Sequence, residues 1–366
     1  MRAQTIAVGA ALGGTALLAR KAFARLNEVD LGGRSVLIVG ASRGLGLLLA
    51  RRFAQQGARV AICARDEDEL ERARQWLGGY GHDVLALSCD AGDERQVRAL
   101  VDQVEARLGP IDVLVNNAAI MQVGEISQMT IEDFRRAHAS TFWAAVHPTL
   151  AVLPGMRARR SGRIVNVTSI GGRLPGPHLT PYTAAKFATV GFSQVLRAEL
   201  ARDSIAVTTV VPWFMRTGSY LNASFKEPAE AEFTWFALGA SLPLLSVDAE
   251  AAAARIVRAA RRGEAEVTIG LPAWLASRFA GLFPGLTADI AGLFNRFLPR
   301  AGAPAQMGGA AGGARGEVLE AAVPSFVDVL TTLGRQAADR LNERRGPGPE
   351  QELRAQEELL PAGRDS

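Results

Sequence analysis

The chain reads as an α/β protein: a doubly wound parallel sheet of seven strands with helices on both faces, preceded by an apolar helix and followed by a helical extension. Three observations predict this. Short β-branched runs alternate with longer segments of helical periodicity from Arg34 onward. The runs are apolar on both faces, as strands covered by helices on both sides must be. A glycine-rich turn follows the first run directly and opens the first helix.

The strands are placed at Ser35–Val39, Arg59–Cys63, Val84–Ser88, Ile111–Val115, Arg163–Val167, Ile205–Val211 and Glu266–Ile269. Helices fall between them at Gly44–Gln56, Asp66–Leu77, Glu94–Leu108, Ile131–Arg159, Thr180–Arg202 and Asp248–Arg262. With right-handed crossovers, ligands bind beyond the carboxyl ends of such strands. The expected organisation is a leader over 1–30, a catalytic domain over 31–270 with an insertion over 218–247, an apolar helical extension over 271–300, a Gly/Ala/Pro-rich linker over 301–316, and a helix with a disordered charged tail over 317–366. The insertion holds Phe233, Trp235, Phe236, Leu238, Leu242, Leu244 and Leu245. It either closes over the mouth of the site or packs on the core or on another subunit. The 271–300 segment suits short helices lying on the domain or on a membrane surface.

The chain has 366 residues, 48% of them hydrophobic, enough to bury one full α/β core with segments to spare. A net charge of +4, with both signs interspersed, gives no reason to expect a nucleic-acid partner. Cys63 and Cys89 form no C-x-x-C pair and no Cys/His cluster has zinc spacing, so neither a disulfide scaffold nor a metal is indicated. Residues Ala3 to Ala19 carry no charge and precede Arg20, Lys21 and Arg25. This segment is a short membrane anchor, a cleaved signal or a helix packed on the protein; as an anchor, its cationic flank keeps the catalytic part facing the cytoplasm.

In the turn Gly40-Ala-Ser42-Arg43-Gly44-Leu45-Gly46 the glycines let the backbone approach a pyrophosphate, and the helix N-terminus offers N–H groups to it. Where an acidic residue would bond the adenosine ribose, the second strand ends in Ala64 and Arg65. Arg65 and Arg43 together suit a 2′-phosphate, so NADPH is favoured over NADH, with Asp66 positioned to pair with Arg65 or contact a ribose instead. Asp90, ending the third strand, either accepts from the adenine amine or caps the next helix. Asn116, Asn117, Ala118 and Ala119 end the fourth strand, where small residues let a cofactor lie close.

Ser169 ends the fifth strand; Tyr182 and Lys186 follow on the next helix, one turn apart on one face. A free phenol titrates near 10. The Lys cation and an oxidised nicotinamide favour phenolate and are expected to lower that value, allowing Tyr182 to exchange a proton while Ser169 holds the substrate oxygen. His138, His147 and His178 are expected to serve packing or the surface.

Together these residues resemble the short-chain dehydrogenase/reductase family over about Leu31 to Gly270, with its Rossmann-type dinucleotide fold. The resemblance implies that Lys186 binds the nicotinamide ribose and that Pro212 and Thr217 contact the carboxamide. It implies further that Thr141 stands where the family carries a catalytic Asn whose main-chain carbonyl holds a relay water. Trp213 replaces the family's glycine after the proline. Family members often pair through their long helices, which makes a homo-oligomer an expectation here. The function expected is NAD(P)-dependent exchange of hydride with a carbonyl or alcohol on an apolar small molecule. A non-catalytic dinucleotide sensor or scaffold, and an epimerase or dehydratase on the same fold, are the alternatives.

Overall fold

The computed structural model describes residues 28–302, 312–321 and 324–344. The expected apolar leader therefore lies outside the described residues, as does most of the linker and all of the charged tail. Among the described residues no helix is long and apolar enough to cross a membrane.

The first half alternates strictly: β1 (Ser35–Val39), α1 (Gly44–Ala54), β2 (Arg59–Ala64), α2 (Glu67–Gly78), β3 (Leu85–Ser88), α3 (Glu94–Leu108) and β4 (Ile111–Asn116). After a two-residue strand β5 (Gln122–Val123) come α4 (Ile131–His138), a π-turn at Ala139–Trp143, and α5 (Ala144–Arg159). The single helix expected over this stretch is thus interrupted. Its start is fixed by a capping box, Thr130 and Asp133 satisfying each other's backbone N–H groups.

Next are β6 (Gly162–Val167), α6 (Thr180–Leu200), β7 (Ile205–Pro212), β8 (Met215–Arg216), β9 (Ser224–Phe225), α7 (Ala229–Ser241), β10 (Val247–Asp248), α8 (Ala249–Arg262) and β11 (Glu266–Ile269). The seven long strands form one parallel sheet in the order β11-β7-β6-β4-β1-β2-β3. The order reverses direction between β1 and β4, which places the crevice at the carboxyl ends of these two strands. Two apolar layers cover the sheet. One holds Leu47, Leu48, Phe53 and Ile256, the other Val97, Val104, Leu153 and Leu196.

The remaining elements are α9 (Leu271–Leu282), α10 (Pro284–Asn295), β12 (Ala314–Arg315), α11 (Gly316–Glu320), α12 (Ser325–Leu330) and α13 (Thr332–Arg340). A small sheet β12-β9-β5 joins three distant parts of the chain. Over it Tyr220, Phe225, Phe233, Phe236, Leu319 and Ala338 build a separate apolar cluster, its rings meeting edge to face at 5.4–6.0 Å. One face of the insertion therefore packs on the C-terminal helices, while other residues of it line the cavity described next.

Candidate functional site

A cavity of about 1470 Å³ opens at the carboxyl ends of the sheet strands. On one side it is lined by the glycine turn, Ala64, Arg65, Asp90, Asn117 and Ala118, and at its centre by Ser169, Tyr182, Lys186, Pro212 and Thr217. The outer wall is apolar: Trp213, Trp235, Phe236, Leu238, Leu242, Leu245, Ile290 and Phe294.

The glycines stand where a side chain has no room. Gly40 adopts φ +77°, and a Cβ there would lie 2.6 Å from the Cα of Ala118. Asn117 fastens the same contact, its amide donating to the Gly40 carbonyl at 2.6 Å. Asn116 works behind it, donating to the Ala145 carbonyl, Thr149 and Asn166, and so ties β4 to α5 and β6. The close packing holds the ends of β1 and β4 and the glycine turn together.

Ser169 follows the end of β6 and accepts from the Gly171 amide at 3.1 Å. It also hydrogen-bonds Tyr182. Lys186 is buried, and its Nζ donates to the Val167 carbonyl at 2.9 Å and stands 5.7 Å from the centre of the Tyr182 ring. Burial, uncompensated by a carboxylate, pushes the Lys186 ammonium down to about 7. The phenol moves up from its ordinary value, because burial outweighs the Ser169 hydrogen bond. The expected lowering is thus reversed in the cofactor-free chain: the amine is turned to a backbone carbonyl, and its proximity does not offset desolvation.

Asp66 is the N-cap of α2, its side chain accepting from the Glu69 amide. Asp90 accepts from the Gly92 amide at 2.9 Å, whereas the cap of α3 is Asp93. Arg65 is exposed at the cavity edge. Arg43 is held by acidic groups that the sequence did not bring to attention: its Nη1 lies 2.5 Å from the Glu69 carboxylate and its Nε 3.3 Å from that of Glu343. Ser42 donates to Glu69 as well, at 3.0 Å. Arg43, Glu69 and Glu343 are thus already paired with one another.

Thr141 sits in the π-turn, buried, with Oγ1 lacking a hydrogen-bond partner; Ser140 and Ala144 line the cavity instead. Trp213 lines the cavity too, its indole N–H donating to the Leu245 carbonyl at 2.8 Å, and it packs beside Ala273 at the base of α9. None of the three histidines near the site lines the cavity. His138 bonds the Phe134 carbonyl, His147 the Ala91 carbonyl, and buried His178 the Glu232 carboxylate.

Missed at the sequence level were Glu69, Asn222 and Glu343 at the glycine turn, and the wall supplied by α10. Glu69 carried a signal, since it falls one turn into the helix that begins beside Arg65. Glu343 carried none, arriving from the far end of the chain.

The chain is similar to known proteins over its sheet and helices. The model of the short chain dehydrogenase family matches residues 34–227. A putative ketoacyl reductase of granaticin polyketide synthesis from Streptomyces violaceoruber is 39% identical over 183 residues, covering 50% of this chain and 67% of that protein. The 11-beta-hydroxysteroid dehydrogenase A of Sesamum indicum is 36% identical over 251 residues, covering 67% and 70%. Among solved structures, an actinorhodin polyketide ketoreductase with NADPH superposes with a TM-score of 0.57 at 28% identity, over 66% of this chain and 97% of that one. The L-sorbose reductase of Gluconobacter frateurii, complexed with NADPH and L-sorbose, gives 0.58 at 26% identity, over 66% and 97%. The chain belongs to the short-chain dehydrogenase family and is an NAD(P)-dependent oxidoreductase.

Proposed function

We propose that the protein is an NADPH-preferring reductase of carbonyls, or dehydrogenase of the corresponding alcohols, on an apolar small molecule, with Ser169, Tyr182 and Lys186 as its catalytic residues. The observation that carries this is their convergence on one cavity whose inner rim is the glycine turn and whose outer wall is apolar. The rim fits a dinucleotide: Gly40 and Gly46 let the turn pack tightly on Ala118 and Asn117 where side chains would collide, and a strand-to-helix junction presents N–H groups to phosphates. Gly40, Ser42, Arg43, Gly44, Leu45 and Gly46 would hold the phosphates, Arg65 and Arg43 the 2′-phosphate. Asp90, Asn117 and Ala118 would border the adenosine half, and Lys186, Pro212 and Thr217 the nicotinamide half. Ala64, in place of an acid, and the NADPH carried by two related structures both support the phosphorylated cofactor.

When bound, the dinucleotide supplies or accepts a hydride. The chain's own residues handle the proton. Tyr182, raised by burial, keeps its phenolic proton at neutral pH and donates it to a carbonyl oxygen. Ser169 orients that oxygen through its hydroxyl. Lys186, while protonated, stabilises the phenolate left behind. Thr141 lies in a π-turn, where the helical hydrogen-bond ladder shifts register, and so suits the relay role through its main-chain carbonyl. Trp213, Trp235, Leu238, Ile290 and Phe294 exclude water and select an apolar substrate.

The test is NADPH consumption over a panel of apolar ketones, aldehydes and quinones beside a polar ketose, with Tyr182→Phe as the control. Wild type is expected to turn over the apolar members, and the variant to lose two to four orders of magnitude in kcat. Equal turnover by both proteins would remove Tyr182 from the mechanism, and a preference for the ketose would remove the apolar substrate.

A further inference from the structure

The end of the described chain folds back onto the glycine turn. The Gly44 amide, the first of α1, donates to the Leu341 carbonyl at 2.9 Å. Asn342 donates to the Ser42 carbonyl at 2.8 Å and the Glu69 carbonyl at 3.0 Å, and accepts from Arg72 at 3.1 Å. Glu343, buried, places its carboxylate against Arg43 and takes a hydrogen bond of 2.8 Å from the Asn222 amide. A Cβ built on Gly44 would collide with the Glu343 carboxylate and touch the Thr217 side chain at 3.7 Å. The carboxylate thus fills the wedge between the turn and the Thr217 loop, which glycine keeps open.

An anion at a helix N-terminus, gripped by a guanidinium and an amide, is how a protein binds a phosphate. Here the acid is the protein's own: burial pushes the Glu343 carboxyl up to about 7, with Arg43 and Asn222 favouring its charged form. We infer that residues 341–343 occupy the phosphate subsite of the cofactor cradle, and that Glu343 governs dinucleotide affinity because it must leave before the cofactor seats. The inference rests on the proposed assignment of Gly40 to Gly46 as that cradle. Carboxyl and pyrophosphate cannot share the wedge: they compete for the same volume, for Arg43 and for the Asn222 amide, while the Leu341 carbonyl takes the Gly44 N–H. Departure of Glu343 is matched by gain, since Arg43 and Asn222 then face the incoming phosphate. Leu341 is anchored in the core, and beyond it the chain has no regular structure, so release of Glu343 pivots at Asn342, whose φ is a left-handed +57°.

The experiment measures NADPH affinity by calorimetry for the full chain as wild type, Glu343→Gln and Asn342→Ala, with tryptic cleavage at Arg340 and Arg344 followed in wild type with and without NADPH. Glu343→Gln removes the charge at constant size, and Asn342→Ala removes three of the hydrogen bonds that dock the segment. Each variant is expected to bind NADPH at least tenfold more tightly, and NADPH is expected to speed cleavage at both arginines of wild type. Unchanged or weaker binding by both variants, or protection of the arginines by NADPH, would overturn the inference, the latter showing that the segment closes over a bound cofactor. Should one variant misfold, as its melting curve would show, the other variant and the wild-type cleavage still decide. Absence of NADPH and NADH binding in all three proteins would overturn the cradle assignment itself, a result distinct from equal binding by all three.

Discussion

Lys186 shows what burying a single charged residue costs. Its ammonium is buried with one carbonyl as partner and is pushed down to about 7, against 10.5 when unperturbed. Between those values the unfolded chain holds a proton that the folded chain has released, so stability rises with pH through that window and is flat below it. The rise is at most about 1.4 kcal/mol per pH unit for one proton. Chemical denaturation of the cofactor-free protein from pH 6 to 10 is expected to show it, and Lys186→Met to flatten it; an identical slope in the variant would assign the effect elsewhere. Gly40 gives a second prediction at this scale. Gly40→Ala combines an unfavourable φ with a collision against Ala118. A loss of NADPH affinity together with a lower melting temperature is expected, and an unaltered affinity would show that the turn does not hold the cofactor.

At the scale of elements, the insertion and the C-terminal helices depend on each other. Phe233 is buried among Tyr220, Phe225 and Phe236, and α7 packs against α12 and α13. Phe233→Ala is expected to cost about 3–5 kcal/mol, the usual price of deleting a fully packed ring. Denaturant melts would read it, and a loss under about 1 kcal/mol would mean that the cluster is not a cooperative part of the fold. These elements also mark where sequence reading stops. The strands of the sheet were legible because each carries its own apolar pattern, and Ser169, Tyr182 and Lys186 because their spacing on a strand end and a helix is local. The small sheet β12-β9-β5 was not legible, since two-residue strands have no periodicity and their partners are set by the tertiary fold. The break at Ala139–Trp143 likewise interrupts a helical pattern with no glycine or proline to announce it.

Across the whole molecule, α9 and α10 stand apart. Leu282 of α9, Leu286 and Leu293 of α10 and Phe297 beyond it are each more than half exposed and away from the cavity, whereas Ile290 and Phe294 of α10, about half exposed, border it. Two outcomes are expected from this division. Replacing Leu286 and Leu293 by Ser is expected to change stability by no more than about 0.5 kcal/mol each, as at exposed sites generally. Phe294→Ala is expected to raise KM for apolar substrates, roughly tenfold, with little effect on kcat, because one lost apolar contact is worth about 1–3 kcal/mol of binding. Steady-state kinetics decides: a change confined to kcat would place Phe294 away from the substrate. Glu343 was illegible for a reason of the same scale. Nothing in a sequence relates a glycine turn near its start to a carboxylate near its end.

The β12-β9-β5 sheet has a consequence for the order in which the protein is made. The seven-stranded sheet is complete once Ile269 has been synthesised, whereas the rim strand Ala314–Arg315 emerges later. Domains assemble as their chain leaves the ribosome, so the nascent protein has a finished sheet before the collar around its entrance exists. Gly313 and Arg315, made after the sheet, line the cavity that the strand ends open.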